Sequence, residues 1–213
     1  MKTAILFDLD GTLLDTLQDL ADATNATLTH FGYPLRTLEE IRQFVGNGAR
    51  RQMTLSLPDG VSEETIDEVL EWYKDYYAQH TQVKTCPYDG ILEALEEIQK
   101  EFPVAIVSNK PDVAVKTLCK AYFGDTFALG ESADCPRKPA PDMVYAAMKA
   151  IGAERCIYVG DSEVDVLTAK NAGVPCLTVL WGFRDREILV DAGATHFCEN
   201  PGELLNSLKA MVN

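Results

Sequence analysis

Thr3-Ala4-Ile5-Leu6-Phe7-Asp8-Leu9-Asp10-Gly11-Thr12 is the stretch that decides the fold. Residues 3–9 form a short apolar run closed by Asp10-Gly11, a strong turn signal, which fits a buried strand running into a loop. Similar runs recur at 104–107, 126–129, 156–159 and 176–180, each bounded by Gly, Pro, Asp or Asn. Helical patterns lie between them. Ile91, Leu92, Leu95 and Ile98 share one predicted face, and Met143, Val144, Ala147 and Ala150 share another. Glu163–Ala172 reads as a helix stopped by Gly173, with Pro175 just beyond. Strands alternating with helices imply the α/β class, a doubly wound parallel sheet covered on both faces.

Residues 15–83 break that alternation, because they carry only helical periodicity. Leu17, Leu20, Ala21, Thr24, Leu28 and Phe31 form one stripe, and Ile66, Val69, Leu70, Tyr73 and Tyr77 another. Two shorter segments, 38–45 and 49–57, are separated by Gly46-Asn47-Gly48. Four helices inserted after the first strand predict a small bundle of their own. The expected organisation is therefore a core of residues 1–14 and 84–213 with a helical insert at 15–83, hinged near 14–16 and 83–87.

The 213 residues are 46% hydrophobic and 24% charged, ample for a buried core. A net charge of −14 argues against nucleic acid and anionic membrane surfaces as partners. It leaves room for an anionic substrate only in a locally positive pocket. No apolar stretch is long enough to span a bilayer, and the first apolar run meets Asp8 too early for a signal peptide. The six cysteines are scattered without a C-x-x-C pair, so reduced thiols and a cytoplasmic location are expected. The three histidines are dispersed, and phosphate loops of the G-x-x-x-x-G-K type are missing. Gly160-Asp161-Ser162-Glu163-Val164 is no hydrolase elbow, because its last residue is Val.

In open α/β sheets ligands bind beyond the carboxyl ends of the strands. Those ends hold Asp8, Asp10, Gly11 and Thr12, then Ser108, Asn109 and Lys110, then Gly160, Asp161, Ser162 and Asp165. Lys138 stands in Lys138-Pro139-Ala140-Pro141, just before a helix. Clustered carboxylates repel one another unless a cation sits among them, and oxygen-only ligands such as Asp8 and Asp161 suit Mg²⁺. Asp8 and Asp10 lie on the same side of an extended chain, roughly 7 Å apart at Cα. One carboxylate can then attack phosphorus while the other handles the proton on the leaving oxygen. Thr12 and Ser108 can donate hydroxyls to phosphate, and Lys138 adds positive charge.

These motifs, D-x-D-G-T at 8–12, S-N-K at 108–110, K-P-x-P at 138–141 and G-D-S-x-x-D at 160–165, resemble those of the haloacid dehalogenase superfamily of phosphatases and phosphomutases. The resemblance spans the whole chain, with the helical insert in the place of that superfamily's small cap. It implies that Asp8 is the nucleophile forming an aspartyl-phosphate and that Asp10 is the acid and base. It also implies Mg²⁺ held by Asp8, Asp161 and the main-chain carbonyl of Asp10. Asp165 would support the metal or Lys138, and Ser108, Lys138 and Asn109 would hold the phosphoryl group. Within the superfamily, Gly46-Asn47-Gly48-Ala49-Arg50 is similar to the cap loop of the phosphoglycolate phosphatases. A Gly-rich turn opening a helix offers N–H groups to an anion, and Arg50 or Arg51 could add a fork for a carboxylate. The implied substrate is a small phosphorylated metabolite, 2-phosphoglycolate first, acted on by a monomer or small homo-oligomer. A phosphomutase of the β-phosphoglucomutase type, a pyrophosphatase and a phospho-accepting switch are the alternatives.

Overall fold

The computed structural model describes residues 2–133 and 135–212. The chain opens with β1 (Thr3–Phe7) and β2 (Leu14–Asp15). Four helices follow, α1 (Leu17–His30), α2 (Leu38–Phe44), α3 (Gly48–Ser56) and α4 (Glu63–Ala78), then β3 (Cys86–Pro87). Strands and helices then alternate: α5 (Ile91–Glu101), β4 (Val104–Pro111), α6 (Asp112–Phe123), β5 (Phe127–Glu131), α7 (Asp142–Ala150) and β6 (Arg155–Gly160). The chain ends with α8 (Glu163–Ala172), β7 (Cys176–Val179), α9 (Arg186–Ala192), β8 (Phe197–Cys198) and α10 (Leu204–Val212). None of the described helices is long and apolar enough to cross a membrane.

Six strands form one sheet in the order β5-β4-β1-β6-β7-β8, and every pairing within it is parallel. The order places β1 in the interior, with β4 on one side and β6 on the other. This is the switch point of a doubly wound sheet, where a crevice opens past the strand ends. Residues along β1 alternate between the two faces, as the two-residue strand repeat requires. Ile5 and Phe7 pack with Ile91, Leu95, Val115, Leu118 and Leu204. Ala4 and Leu6 face the opposite way and pack with Met143, Val144, Ala147 and Ala169. Leu92, predicted to share the inner face of α5, is instead 47% exposed. It lies one residue past Ile91, about 100° around the helix from the buried stripe.

The chain divides into two compact units, residues 1–15 with 87–213 and residues 16–86. The second contains α1 to α4. Its return boundary falls three residues later than the expected 83, and one carboxylate explains the difference. Asp19 on α1 is 2% exposed and accepts the N–H groups of Val83, Lys84 and Thr85 together with the Thr85 hydroxyl. The returning segment is thereby bound to the helices. Asp19→Ala would strand those donors and is expected to destabilise the protein by about 3 kcal/mol, measurable by urea unfolding.

Candidate active site

The residues at the interior strand ends do converge. Asp8 follows β1, and its Oδ1 accepts the N–H of Leu9 at 2.6 Å and meets Lys138 Nζ at 2.9 Å. The next residues fold back tightly, with the N–H groups of Leu13 and Leu14 both bonded to the carbonyl of Leu9. Gly11 has φ +81°, a left-handed value that suits glycine. A Cβ there would overlap the Asp161 carboxylate.

Lys138 is 1% exposed, and its ammonium reaches three partners. Besides Asp8, it donates to Asp165 Oδ1 at 2.8 Å and to the Tyr158 hydroxyl at 3.0 Å. Tyr158 in turn donates to Asp165 Oδ1 at 3.1 Å. The other carboxylate oxygen of Asp165 accepts the Ser162 N–H and hydroxyl in a capping box that starts α8. Asp165 thus aims Lys138, one of the two roles the resemblance implies for it.

Two expected phosphate donors are engaged elsewhere. The Thr12 hydroxyl donates to Asp161 Oδ1 at 2.9 Å, because the Gly11 turn presses that segment against Asp161. The Asn109 carboxamide clamps the backbone of Lys138, giving 3.0 Å to its carbonyl and accepting 2.7 Å from its N–H. Ser108, Asn109 and Lys110, expected just past the strand run of 104–107, are still part of β4. The pairing register against β5 shifts between Val107 and Pro111, and such an irregularity re-aims side chains beside a site.

Several participants escaped sequence reasoning. Lys110 is 6% exposed and its Nζ bonds Asp10 Oδ1 at 2.7 Å. The Phe183 N–H donates to Asp161 Oδ2 at 2.8 Å, and the Trp181 indole to the Thr12 carbonyl at 3.0 Å. Lys110 was within view, since it completes S-N-K after an apolar run. The loop after β7 carried no signal.

Burial pushes the Asp8 carboxyl well above its ordinary range, and the charge of Asp165 adds to the rise despite Lys138. Burial likewise pushes Asp161 up to about 7, with Asp165 adding to it. Burial also penalises Asp165, yet Lys138 and Ser162 more than offset it and hold its carboxyl below the usual value. For Lys138 burial opposes the charge, and Asp165 and Asp8 together reverse this and keep the ammonium firmly protonated. Burial and Asp165 keep the Tyr158 phenol in its O–H form.

Asp8, Asp161 and Asp165 bring carboxylate oxygens within 4.8 Å of one another, all buried. Asp165 is held by Lys138 and Ser162, and burial together with its charge disfavours ionisation of both Asp8 and Asp161. A hard divalent cation fits such an all-oxygen set. Gly11 and Gly182 keep the flank of Asp161 clear, because a Cβ at either would overlap its side chain. Gly182→Ala is therefore expected to weaken binding of a divalent cation by about 10- to 100-fold. Titration calorimetry with Mg²⁺ would show the shift.

Comparison with known proteins identifies the family. The family model of haloacid dehalogenase-like hydrolases matches residues 5–179. A phosphoglycolate phosphatase from Pseudomonas savastanoi pv. phaseolicola is 34% identical over 98% of this chain and 78% of its own. One from Vibrio parahaemolyticus is 33% identical, covering 94% of this chain and 93% of its own. Among solved structures, a protein from Lactobacillus delbrueckii subsp. bulgaricus superposes with a TM-score of 0.92 at 37% identity, over 98% of this chain and 99% of its own. A haloacid dehalogenase-like hydrolase from Streptococcus pneumoniae gives 0.87 at 27% identity, over 96% and 97%. The chain belongs to the haloacid dehalogenase-like hydrolases and is a phosphoric monoester hydrolase similar to the phosphoglycolate phosphatases.

Proposed function

We propose that the protein hydrolyses a small phosphorylated metabolite, 2-phosphoglycolate foremost, in a Mg²⁺-dependent reaction that passes through a phosphoryl group carried on Asp8. The observation that carries this reading is the Asp8 carboxylate at the end of the interior strand, with a buried lysine 2.9 Å away on one oxygen. Both contacts of Asp8 fall on Oδ1, which leaves Oδ2 to attack phosphorus. As the Asp8–phosphorus bond forms and the ester bond breaks, Asp10 supplies the proton to the departing oxygen. Asp10 then takes a proton from the water that attacks phosphorus, and Asp8 leaves as a carboxylate. Lys138 and the Ser108 hydroxyl stabilise the charge on the transferring oxygens, while Asn109 and Tyr158 hold Lys138 in place. Bound by Asp8, Asp161 and the main-chain carbonyl of Asp10, Mg²⁺ would neutralise these acids and the phosphate that joins them.

Residues 16–86 are assigned the role of a cap that selects substrate and excludes water. The Gly46-Asn47-Gly48 turn, with φ of 106° at Gly46 and 81° at Gly48, opens α3 and offers N–H groups to an anion. Arg50 is shared between Glu63 and Asp67. It therefore braces α3 against α4, and the turn's main chain carries the proposal.

The test is phosphate release from 2-phosphoglycolate, pyrophosphate and several sugar phosphates, with Mg²⁺ and with chelator. Release led by 2-phosphoglycolate and lost with chelator is expected. A sugar phosphate that isomerises without free phosphate would replace this reading by the phosphomutase.

A further inference from the structure

We propose that the Lys110 ammonium selects substrates whose leaving group is itself an anion, a carboxylate or a second phosphate. This inference rests on the phosphatase reading and names the side chain that sets its substrate class. The Lys110 side chain is 3% exposed and its Nζ lies 2.7 Å from Asp10 Oδ1, whose own side chain is 18% exposed. Asp10 therefore still opens onto the crevice, with a desolvated positive charge fixed against it.

The leaving oxygen must come within hydrogen-bond reach of Asp10 to receive its proton, about 3 Å. Such an oxygen lies roughly 3–6 Å from Lys110 Nζ if it meets Oδ1 of Asp10, and up to about 8 Å if it meets Oδ2. In a glycolate ester a single methylene separates that oxygen from the carboxylate. In pyrophosphate the leaving oxygen is bonded directly to a charged phosphoryl group. A substrate that turns its anion toward Lys110 can therefore bring it into ion-pair range while its leaving oxygen stays on Asp10. Attraction between charges is several-fold stronger in a desolvated crevice than in water, so the preference is substantial.

The other cations of the strand-end site serve other groups, whereas Lys110 is fixed on the acid that must meet the leaving oxygen. Lys138 is occupied by Asp8, Asp165 and Tyr158, and its place is on the transferring phosphoryl group. Arg184, whose charge acts on Asp161, is paired with Glu163 at 2.8 Å. In a chain of net charge −14, an anionic leaving group needs a local positive charge, and Lys110 supplies it beside the atom where the bond breaks.

The experiment compares kcat/KM for two pairs of substrates that differ in the charge of the leaving group. One pair is 2-phosphoglycolate and 2-hydroxyethyl phosphate, which differ by carboxylate against hydroxymethyl. The other is pyrophosphate and ethyl phosphate. Wild type should prefer the anionic member of at least one pair; because pyrophosphate is an anhydride with an intrinsically better leaving group, the pair whose ratio responds to Lys110→Met identifies carboxylate or phosphate as the recognised group. In Lys110→Met that ratio should fall at least about thirtyfold, the low end for losing one partner of a desolvated charge pair. Lys110→Arg should keep most of it.

If Lys110→Met lowers both members of a pair equally, Lys110 serves only to position Asp10 and the proposal is overturned. A wild type with no preference for an anionic leaving group overturns it as well, while leaving the phosphatase reading intact. Wild type that releases phosphate from none of these compounds removes the phosphatase reading itself. A measurement without variants covers the case in which Lys110→Met fails to fold. Glycolate should inhibit wild type at concentrations at least tenfold below ethylene glycol, and equal inhibition would also overturn the proposal.

Discussion

Asp8→Asn is expected to lower phosphate release by at least about 10⁴-fold while raising the melting temperature of the chelated protein. The carboxamide keeps the shape of the carboxylate but cannot act as the nucleophile. The stability gain follows from the same burial that makes the site reactive. Burial and the charges of Asp165 and Asp161 push the Asp8 carboxyl upward and outweigh the attraction of Lys138, so the fold favours a neutral group at this position. A neutral side chain removes that repulsion, the usual relation between an active site and stability. The sign can be checked by pH. In the unfolded chain these acids ionise near 4, whereas in the folded state Asp161 holds its proton to about 7. Between those values the folded state binds more protons, so stability without metal falls as pH rises. Chelated wild type should melt higher at pH 5.5 than at pH 8, and Asp8→Asn should show a shallower slope. A lower melting temperature for Asp8→Asn at pH 8 would refute the electrostatic account of the site.

Lys138→Met should both inactivate and unfold. Its ammonium is buried between Asp8 and Asp165, and Asp165 is itself fully buried. Removing one member of such a group leaves its partners desolvated and uncompensated, a loss of about 3–5 kcal/mol. Activity should fall by about 10²- to 10³-fold or more, as when a main stabiliser of transition-state charge is lost. The double variant Lys138→Met/Asp165→Asn separates the two effects. Neutralising Asp165 should restore part of the stability seen in denaturant unfolding, with no return of activity. If the double variant is less stable than the single one by the full cost of Asp165→Asn alone, the two residues are energetically independent and the buried pair contributes nothing.

Much of this site could be read in advance because its chemistry sits on strand ends. Asp8, Asp161 and Lys138 follow apolar runs or precede helices, and the sheet order brings them together without further information. What could not be read was how each polar atom is satisfied. Thr12 and Asn109 carry groups suited to phosphate, and only the folded turn shows them holding Asp161 and Lys138. Lys110 looked like part of a polar loop because three consecutive polar residues rarely continue a buried strand. The register shift in β4 makes room for them. Tyr158 reads as one more core aromatic in β6 until its hydroxyl is seen against Lys138. The boundary of the helical unit moved for a similar reason, since neither Asp19 nor residues 83–85 has a periodic signature.

That carboxylate has a kinetic consequence. β1 and β4 are neighbours in the sheet although roughly 100 residues separate them, and closing so long a loop before pairing is slow. Asp19 ties the neck of the helical unit with bonds that span 64 to 66 positions. Once the neck is tied, the loop left to close between the two strands shrinks to about a third of its length, lowering its entropic cost by about 1 kcal/mol. An insert that interrupts the sheet in sequence thus becomes, after it folds, a short splice that hastens the pairing of the strands it divides.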